Sequence, residues 1–230
     1  MHATTDTIAH ADGRSFQAYV SRPQQPNGHA VIVLQEIFGV TAHIRAVADR
    51  FAEDGFLAYA PDLFWRVQPG IELSHSKADM AKAMELLAQY RDEDGLVDIA
   101  QTVQHLRRAP GFKGRVAVAG LCLGGKLAYL AATVPGVDAA VGFYGVGIET
   151  RLDAATGLQC PLQLHFGDQD PYVSEAARQQ IEHRLQGASV QMHLYPGANH
   201  GFYTRGAESD MRLARQRTVD FLHQVFHANP

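Results

Sequence analysis

The sequence predicts an α/β fold, a mainly parallel sheet with helices on both faces, and three observations predict it. Short apolar runs at 30–34, 56–60, 115–119, 139–143, 162–166 and 190–194 read as strands. Several are apolar nearly throughout, as strands covered on both faces are. Between them lie stretches with one apolar stripe at helical spacing. The connections are short, and strands that alternate with helices over short connections pair in parallel.

Taken in order, residues 5–9 and 15–21 read as an antiparallel edge pair, and the Pro/Gln-rich piece at 22–28 as a hairpin or loop. Ile44, Val47, Ala48, Phe51 and Ala52 form the first helical stripe. Ile99, Val103 and Leu106 repeat it, stopped by Pro110 and Gly111. A helical segment at 126–132 follows the 115–119 strand, and Val219, Leu222, Val225 and Phe226 make a last stripe. No repeat or low-complexity linker divides the 230 residues, so one domain spanning 1–230 is expected. A chain of this size buries roughly 70–75% of its unfolded surface and needs neither disulfide nor metal to be stable.

The net charge is −4 with no basic block, which gives nucleic-acid or acidic-membrane binding no electrostatic support. No apolar run approaches a membrane span, and the N-terminus lacks a basic start followed by an apolar core. Only two cysteines occur, Cys122 and Cys160, too few for a disulfide scaffold, so a reducing cytoplasm is the expected compartment.

The most informative motif is Gly120-Leu-Cys122-Leu-Gly124-Gly125, placed between the 115–119 strand and a helix. This is the G-x-nucleophile-x-G elbow of α/β-hydrolases, with cysteine in the nucleophile position. A nucleophile at so sharp a turn has strained backbone, and glycines two positions away on either side relieve the crowding. The helix that follows aims its positive end at the sulfur and favours thiolate. The Leu123 N–H points to where a carbonyl oxygen becomes negative. The same residues partly match a phosphate-binding loop through Lys126, but Leu127 stands where magnesium coordination requires Ser or Thr.

Such a nucleophile takes its acid and its histidine later in the chain. His200 lies in a turn-rich loop just past the 190–194 strand, whereas His165 and His193 lie inside strands. His223 and His227 are four apart on the last helix, and with no third ligand nearby they read as a solvated face. The acid belongs after the 162–166 strand, where Asp168 and Asp170 stand. Alternate residues in an extended segment face opposite ways, so one of the two reaches the histidine. Asp170 is favoured because it precedes Pro171 at the loop's apex. Its role is to fix the imidazole tautomer and stabilise imidazolium.

Together with Gln35-Glu-Ile-Phe-Gly-Val40, Ala60-Pro-Asp-Leu-Phe64 and Gly142-Phe-Tyr-Gly-Val-Gly147, these motifs resemble the dienelactone hydrolase (carboxymethylenebutenolidase) family from end to end. The resemblance implies an eight-stranded α/β-hydrolase sheet and a triad of Cys122, Asp170 and His200. It implies that Glu36 contacts the resting cysteine and is shifted by substrate, and that the Ile37 N–H completes an oxyanion hole with Leu123. It also implies two arginines on a substrate carboxylate. Arg205 stands close to one expected position, about one residue out of register; the other, near 79–85, holds no arginine, leaving Arg66, Lys77 or Lys82. Lysine offers no planar fork for a carboxylate.

The resulting expectation is a hydrolase that opens a lactone or cleaves an activated ester through a cysteine thioester, in a cleft walled by Phe38, Trp65, Tyr144 and Phe202. It needs no metal or organic cofactor, takes a small-molecule substrate, and is a monomer or small homo-oligomer. A broad carboxylesterase or thioesterase is the alternative, and a catalytically silent ligand-binding hydrolase fold the remote one.

Overall fold

The computed structural model describes residues 2–187 and 189–228. Eight strands form the mainly parallel α/β sheet that the sequence predicts. The chain divides into two compact units, Met1–Val116 and Ala117–Pro230.

The first unit holds β1 (His2–Ala9), β2 (Ser15–Arg22), β3 (Ala30–Leu34), α1 (Ala42–Glu53), β4 (Leu57–Pro61), α2 (Lys77–Leu87) and α3 (Asp92–Arg108). Its strand order is β1-β2-β4-β3. β1 and β2 are an antiparallel hairpin, β2 pairs antiparallel with β4, and β3 pairs with β4 in parallel. Every side chain of β3 is buried, which explains its uninterrupted apolar run. α1 buries the five residues of its predicted stripe. α2 left no such stripe to read, because it buries only Ala83 and Leu86; its start is marked instead by Ser76, whose hydroxyl accepts from the Asp79 N–H at 3.1 Å.

The second unit holds β5 (Val116–Leu121), α4 (Leu123–Ala131), β6 (Ala139–Phe143), β7 (Leu162–Gly167), α5 (Glu175–Leu185), β8 (Val190–Tyr195), α6 (Phe202–Arg205) and α7 (Glu208–His227). Its four strands are parallel in the order β5-β6-β7-β8. The register sets Leu121 beside Phe143, Phe143 beside His165, and Gly167 beside Tyr195. The four carboxyl ends therefore share one edge, where sites gather in such sheets. The buried face of α7 is Ala214, Thr218, Phe221, Leu222 and Phe226. The predicted stripe is rotated from it, with Val219 and Val225 only half-buried.

One polar network is sealed inside this unit. His165 is fully buried; its Nε2 lies 2.9 Å from Gln163 Oε1 and its Nδ1 2.8 Å from the Tyr195 hydroxyl. The Gln163 amide nitrogen donates to Gln191 Oε1 at 2.9 Å, so its oxygen is the atom facing the imidazole. Nε2 therefore carries the proton, and Nδ1 accepts from the tyrosine. Burial holds His165 well below the usual histidine range, and the neighbouring His193 is lowered by the same cause. A depressed folded-state value means that the unfolded chain binds protons the fold refuses. The stability contribution is thus present above about pH 6.5 and lost as the pH falls below it, by up to about 1.4 kcal/mol per pH unit for His165 and by less for half-exposed His193, which water screens. Denaturant midpoints between pH 7.5 and 5.5 should fall, and fall less steeply for His193→Gln. An equal slope in the two proteins would contradict this.

Candidate active site

Cys122 stands between the end of β5 and the start of α4, with φ 56° and ψ −112°. That combination is sparsely allowed for an L-residue and costs about 1–3 kcal/mol. The surroundings over-determine it. The Cys122 N–H donates to Phe143 O at 3.0 Å, and the Gly125 and Lys126 N–H groups donate back to Cys122 O at 2.9 and 3.2 Å. Gly120 is a steric requirement: a Cβ there would sit 1.9 Å from the Gly124 carbonyl oxygen. Gly125 serves a different purpose, since its Cβ would meet Phe143 O at 2.4 Å; its bareness lets α4 pack onto the end of β6.

The two cysteines occupy contrasting settings. Cys122 is half-exposed at the positive end of a helix, a setting that favours thiolate. Cys160, likewise half-exposed, precedes β7, and partial burial pushes its thiol up to about 12.

His200 and Asp170 meet as a pair. His200 Nδ1 lies 2.7 Å from Asp170 Oδ2, and the carboxylate is enclosed. The other oxygen, Oδ1, accepts from the Tyr172 N–H at 2.8 Å, so Asp170 also forms the turn that aims it. Asp168 is used differently: its Oδ1 accepts from the Gly197 N–H at 2.7 Å and ties the loop after β7 to the loop after β8.

The His200 ring is braced by two tyrosines. Tyr144, directly after β6, meets it edge to face at 4.8 Å, and Tyr172 does the same from the other loop at 4.8 Å. Tyr144 is fully buried, with φ 40°, and contacts Phe202 at 5.6 Å. Tyr144 and Phe202, expected as walls of the cleft, thus form the packing that seats the imidazole. Tyr172 is 59% exposed beside that ring and is the site residue that sequence reasoning missed. Its only signal was an aromatic two residues after the acid.

Through the parallel register, the end of β5 bearing Cys122 lies beside the end of β6 bearing Tyr144, and the Tyr144 ring touches His200. Cys122, His200 and Asp170 so gather at one edge of the second unit. Arg205 belongs to the same region. A Cβ at Gly201 would come within 2.2 Å of its guanidinium, and its Nη1 donates to Thr204 Oγ1 at 3.1 Å.

The remaining candidates lie in the first unit. Glu36 and Ile37 follow β3 directly, and Glu36 is 2% exposed. Gln35 anchors this segment: its side-chain oxygen accepts from the Leu63 N–H at 3.0 Å. Phe38 is buried against the His75 ring at 4.3 Å, and Trp65 stacks on Phe16 at 5.6 Å. The Arg66 guanidinium lies over Trp65 at 4.4 Å and pairs with buried Asp98 at 2.5 Å. The carboxylate it holds in this structure is therefore the protein's own. Among the described residues no group of three His, Cys, Asp or Glu side chains could hold a metal ion, and no helix is long and apolar enough to cross a membrane.

Residues 16–227 match the model of the dienelactone hydrolase family. A carboxymethylenebutenolidase from a Pseudomonas species is 36% identical over 219 residues, 93% of this chain and 92% of that one. The carboxymethylenebutenolidase of Pseudomonas putida is 34% identical over 231 residues, 97% of this chain and 98% of its own. A crystal structure from Klebsiella pneumoniae superposes with a TM-score of 0.81 at 26% identity, covering 97% of this chain and 100% of that one.

Proposed function

This chain belongs to the dienelactone hydrolase family and hydrolyses lactone or ester bonds, and we propose that it does so through a thioester on Cys122. The observation that carries the mechanism is the Asp170–His200 contact of 2.7 Å, at the same edge of parallel strands as a cysteine strained onto a helix N-terminus.

The Cys122 thiolate adds to the substrate carbonyl, and the Leu123 N–H donates to the resulting oxyanion. Collapse of the tetrahedral intermediate breaks the bond to the alkoxy oxygen, which takes a proton from the His200 imidazolium. In a lactone that oxygen stays tethered, so the product remains on the enzyme as an acyl thioester. His200 then removes a proton from water, the hydroxide attacks the thioester, and the carboxylic acid leaves with regeneration of the thiolate. Asp170 holds the imidazole in the tautomer whose Nε2 faces the reacting atoms. The family resemblance adds Ile37 as a second oxyanion donor and Glu36 as the carboxylate that substrate displaces.

Arg205 is the cation proposed to meet a substrate carboxylate, with Tyr172, exposed beside His200, as an aromatic face for the substrate. Since Arg66 pairs with Asp98, the type dienelactone would be held by one arginine, which favours a lactone or ester with different recognition groups. The two units are read as parts of a single hydrolase domain, because the family match runs across both. Two cysteines outside any disulfide support a cytoplasmic location, and a monomer or small homo-oligomer is the proposed state.

The test is hydrolysis of cis- and trans-dienelactone, simple lactones and p-nitrophenyl acetate by wild type and Cys122→Ala. Cys122-dependent opening of dienelactone supports the family substrate. Cys122-dependent turnover of the other compounds alone supports the carboxylesterase reading, and no Cys122-dependent turnover overturns the mechanism. Labelling is a second check. One equivalent of iodoacetamide at pH 7.5 should alkylate Cys122 and leave Cys160 unmodified in the peptide map, because the Cys160 thiol is raised to about 12.

A further inference from the structure

We infer that Arg178 is a positioning residue of the hydrolytic reaction, a clasp that fixes the loop carrying Asp170; the inference rests on Asp170 and His200 being the acid and the base. That loop, 167–173, runs from the end of β7 to the Ser174 cap of α5. Beyond Gly167, the last residue of β7, it forms neither helix nor strand, and the bond within it that shapes the acid's turn is the Tyr172 N–H to Asp170 Oδ1 at 2.8 Å. Arg178 lies in the first turn and a half of α5. Its Nη1 donates to Val173 O at 2.6 Å and Gly167 O at 3.2 Å, and its Nη2 donates to Asp168 O at 3.4 Å. Carbonyls from both ends of the loop thus converge on one planar fork, an arrangement lysine cannot reproduce.

The opposite side of the loop is tied to the histidine loop. Asp168 N–H donates to Tyr195 O at 3.2 Å, Gln169 N–H donates to Ala198 O at 3.0 Å, and Gly197 N–H donates to the Asp168 carboxylate at 2.7 Å. The fit is close enough that a Cβ on Gly167 would come within 2.2 Å of Ala198 O. Between these two sets of bonds Asp170 keeps two contacts, its Oδ1 with the Tyr172 N–H and its Oδ2 with His200 Nδ1. Loss of the fork leaves three loop carbonyls to water and lets the Asp170 end drift. A displacement near 1 Å at a catalytic group costs about 100-fold in rate.

The experiment compares Arg178→Met and Arg178→Lys in the wild-type and Asp170→Asn backgrounds, reading kcat and KM on p-nitrophenyl acetate and Tm. Arg178→Met should lower kcat by about 10- to 100-fold, with KM changed by less than about twofold, and Arg178→Lys should recover part of that loss. In the Asp170→Asn background the same substitution should cost less than about twofold, because a residue that acts through Asp170 has nothing left to position. An unchanged kcat in Arg178→Met, or an equal loss in both backgrounds, overturns the inference while the triad stands. If Asp170→Asn is itself as fast as wild type, the assignment of the acid fails and the inference falls with it. Should Arg178→Met not fold, Arg178→Lys decides by the same two comparisons.

Discussion

Cys122→Ala should lower turnover of every substrate the wild-type protein hydrolyses by about four to six orders of magnitude, while Tm stays within a degree or two. The size of the loss follows from removing the attacking atom, since the oxyanion donors and the binding groups remain and supply only a residual rate. The unchanged Tm follows from the backbone. Alanine at φ 56° is as strained as cysteine, so neither relief nor new strain is introduced. The half-exposed thiol also leaves no closed cavity behind. Cys122→Gly makes the complementary point: equally inactive, it should be more stable by about 1–3 kcal/mol, because glycine adopts this conformation at little cost. Initial rates against p-nitrophenyl acetate, with melting curves of the three proteins, check all of this. Substantial activity in Cys122→Ala would remove the nucleophile assignment.

Asp170→Asn should lower kcat by about three to four orders of magnitude, and Asp168→Asn by no more than about threefold. The asparagine at 170 keeps an oxygen for the Tyr172 N–H, so the turn survives. Its amide can then donate to His200 Nδ1 and stabilise the wrong tautomer, which presents a proton to the nucleophile in place of a lone pair. At 168 the asparagine oxygen still accepts from the Gly197 N–H, so the tie between the two loops is kept. The pair of variants separates charge at the imidazole from charge elsewhere in the same loop. If the order of the two effects were reversed, Asp168 would be the acid and the 2.7 Å contact of Asp170 would be structural.

The elbow was legible because its cause is local. A positive φ at Cys122 and the contact between Gly120 and Gly124 lie within five residues, so the requirement is written into adjacent positions. Strand ends were legible from apolar runs, and with them the placement of His200 and of the two candidate aspartates. The choice between those aspartates rested on Pro171 and on the triad that the family resemblance implies, since chain pattern alone does not state which carboxylate turns inward. α5 went unread because it buries only Ala177, Ile181 and Leu185, a thin stripe among polar residues. Arg66 stood among the substrate candidates because its partner Asp98 lies 32 positions away and is buried on α3, a fact no local pattern carries.

The sequence by itself determined the α/β class, the strand–turn–helix elbow at Cys122, the loop of the candidate histidine, and hence the family. Each depends on spacing within a few residues, or on the period of an element. Only the tertiary structure decided that Asp170 meets His200, and that Tyr144 and Tyr172 brace the imidazole. It also decided that Arg66 answers Asp98, and that Arg178 gathers three carbonyls of the acid loop. These are pairings of groups distant in the chain, or of a side chain with a loop's carbonyls. Their geometry exists only once parallel strands have brought their carboxyl ends to a common edge.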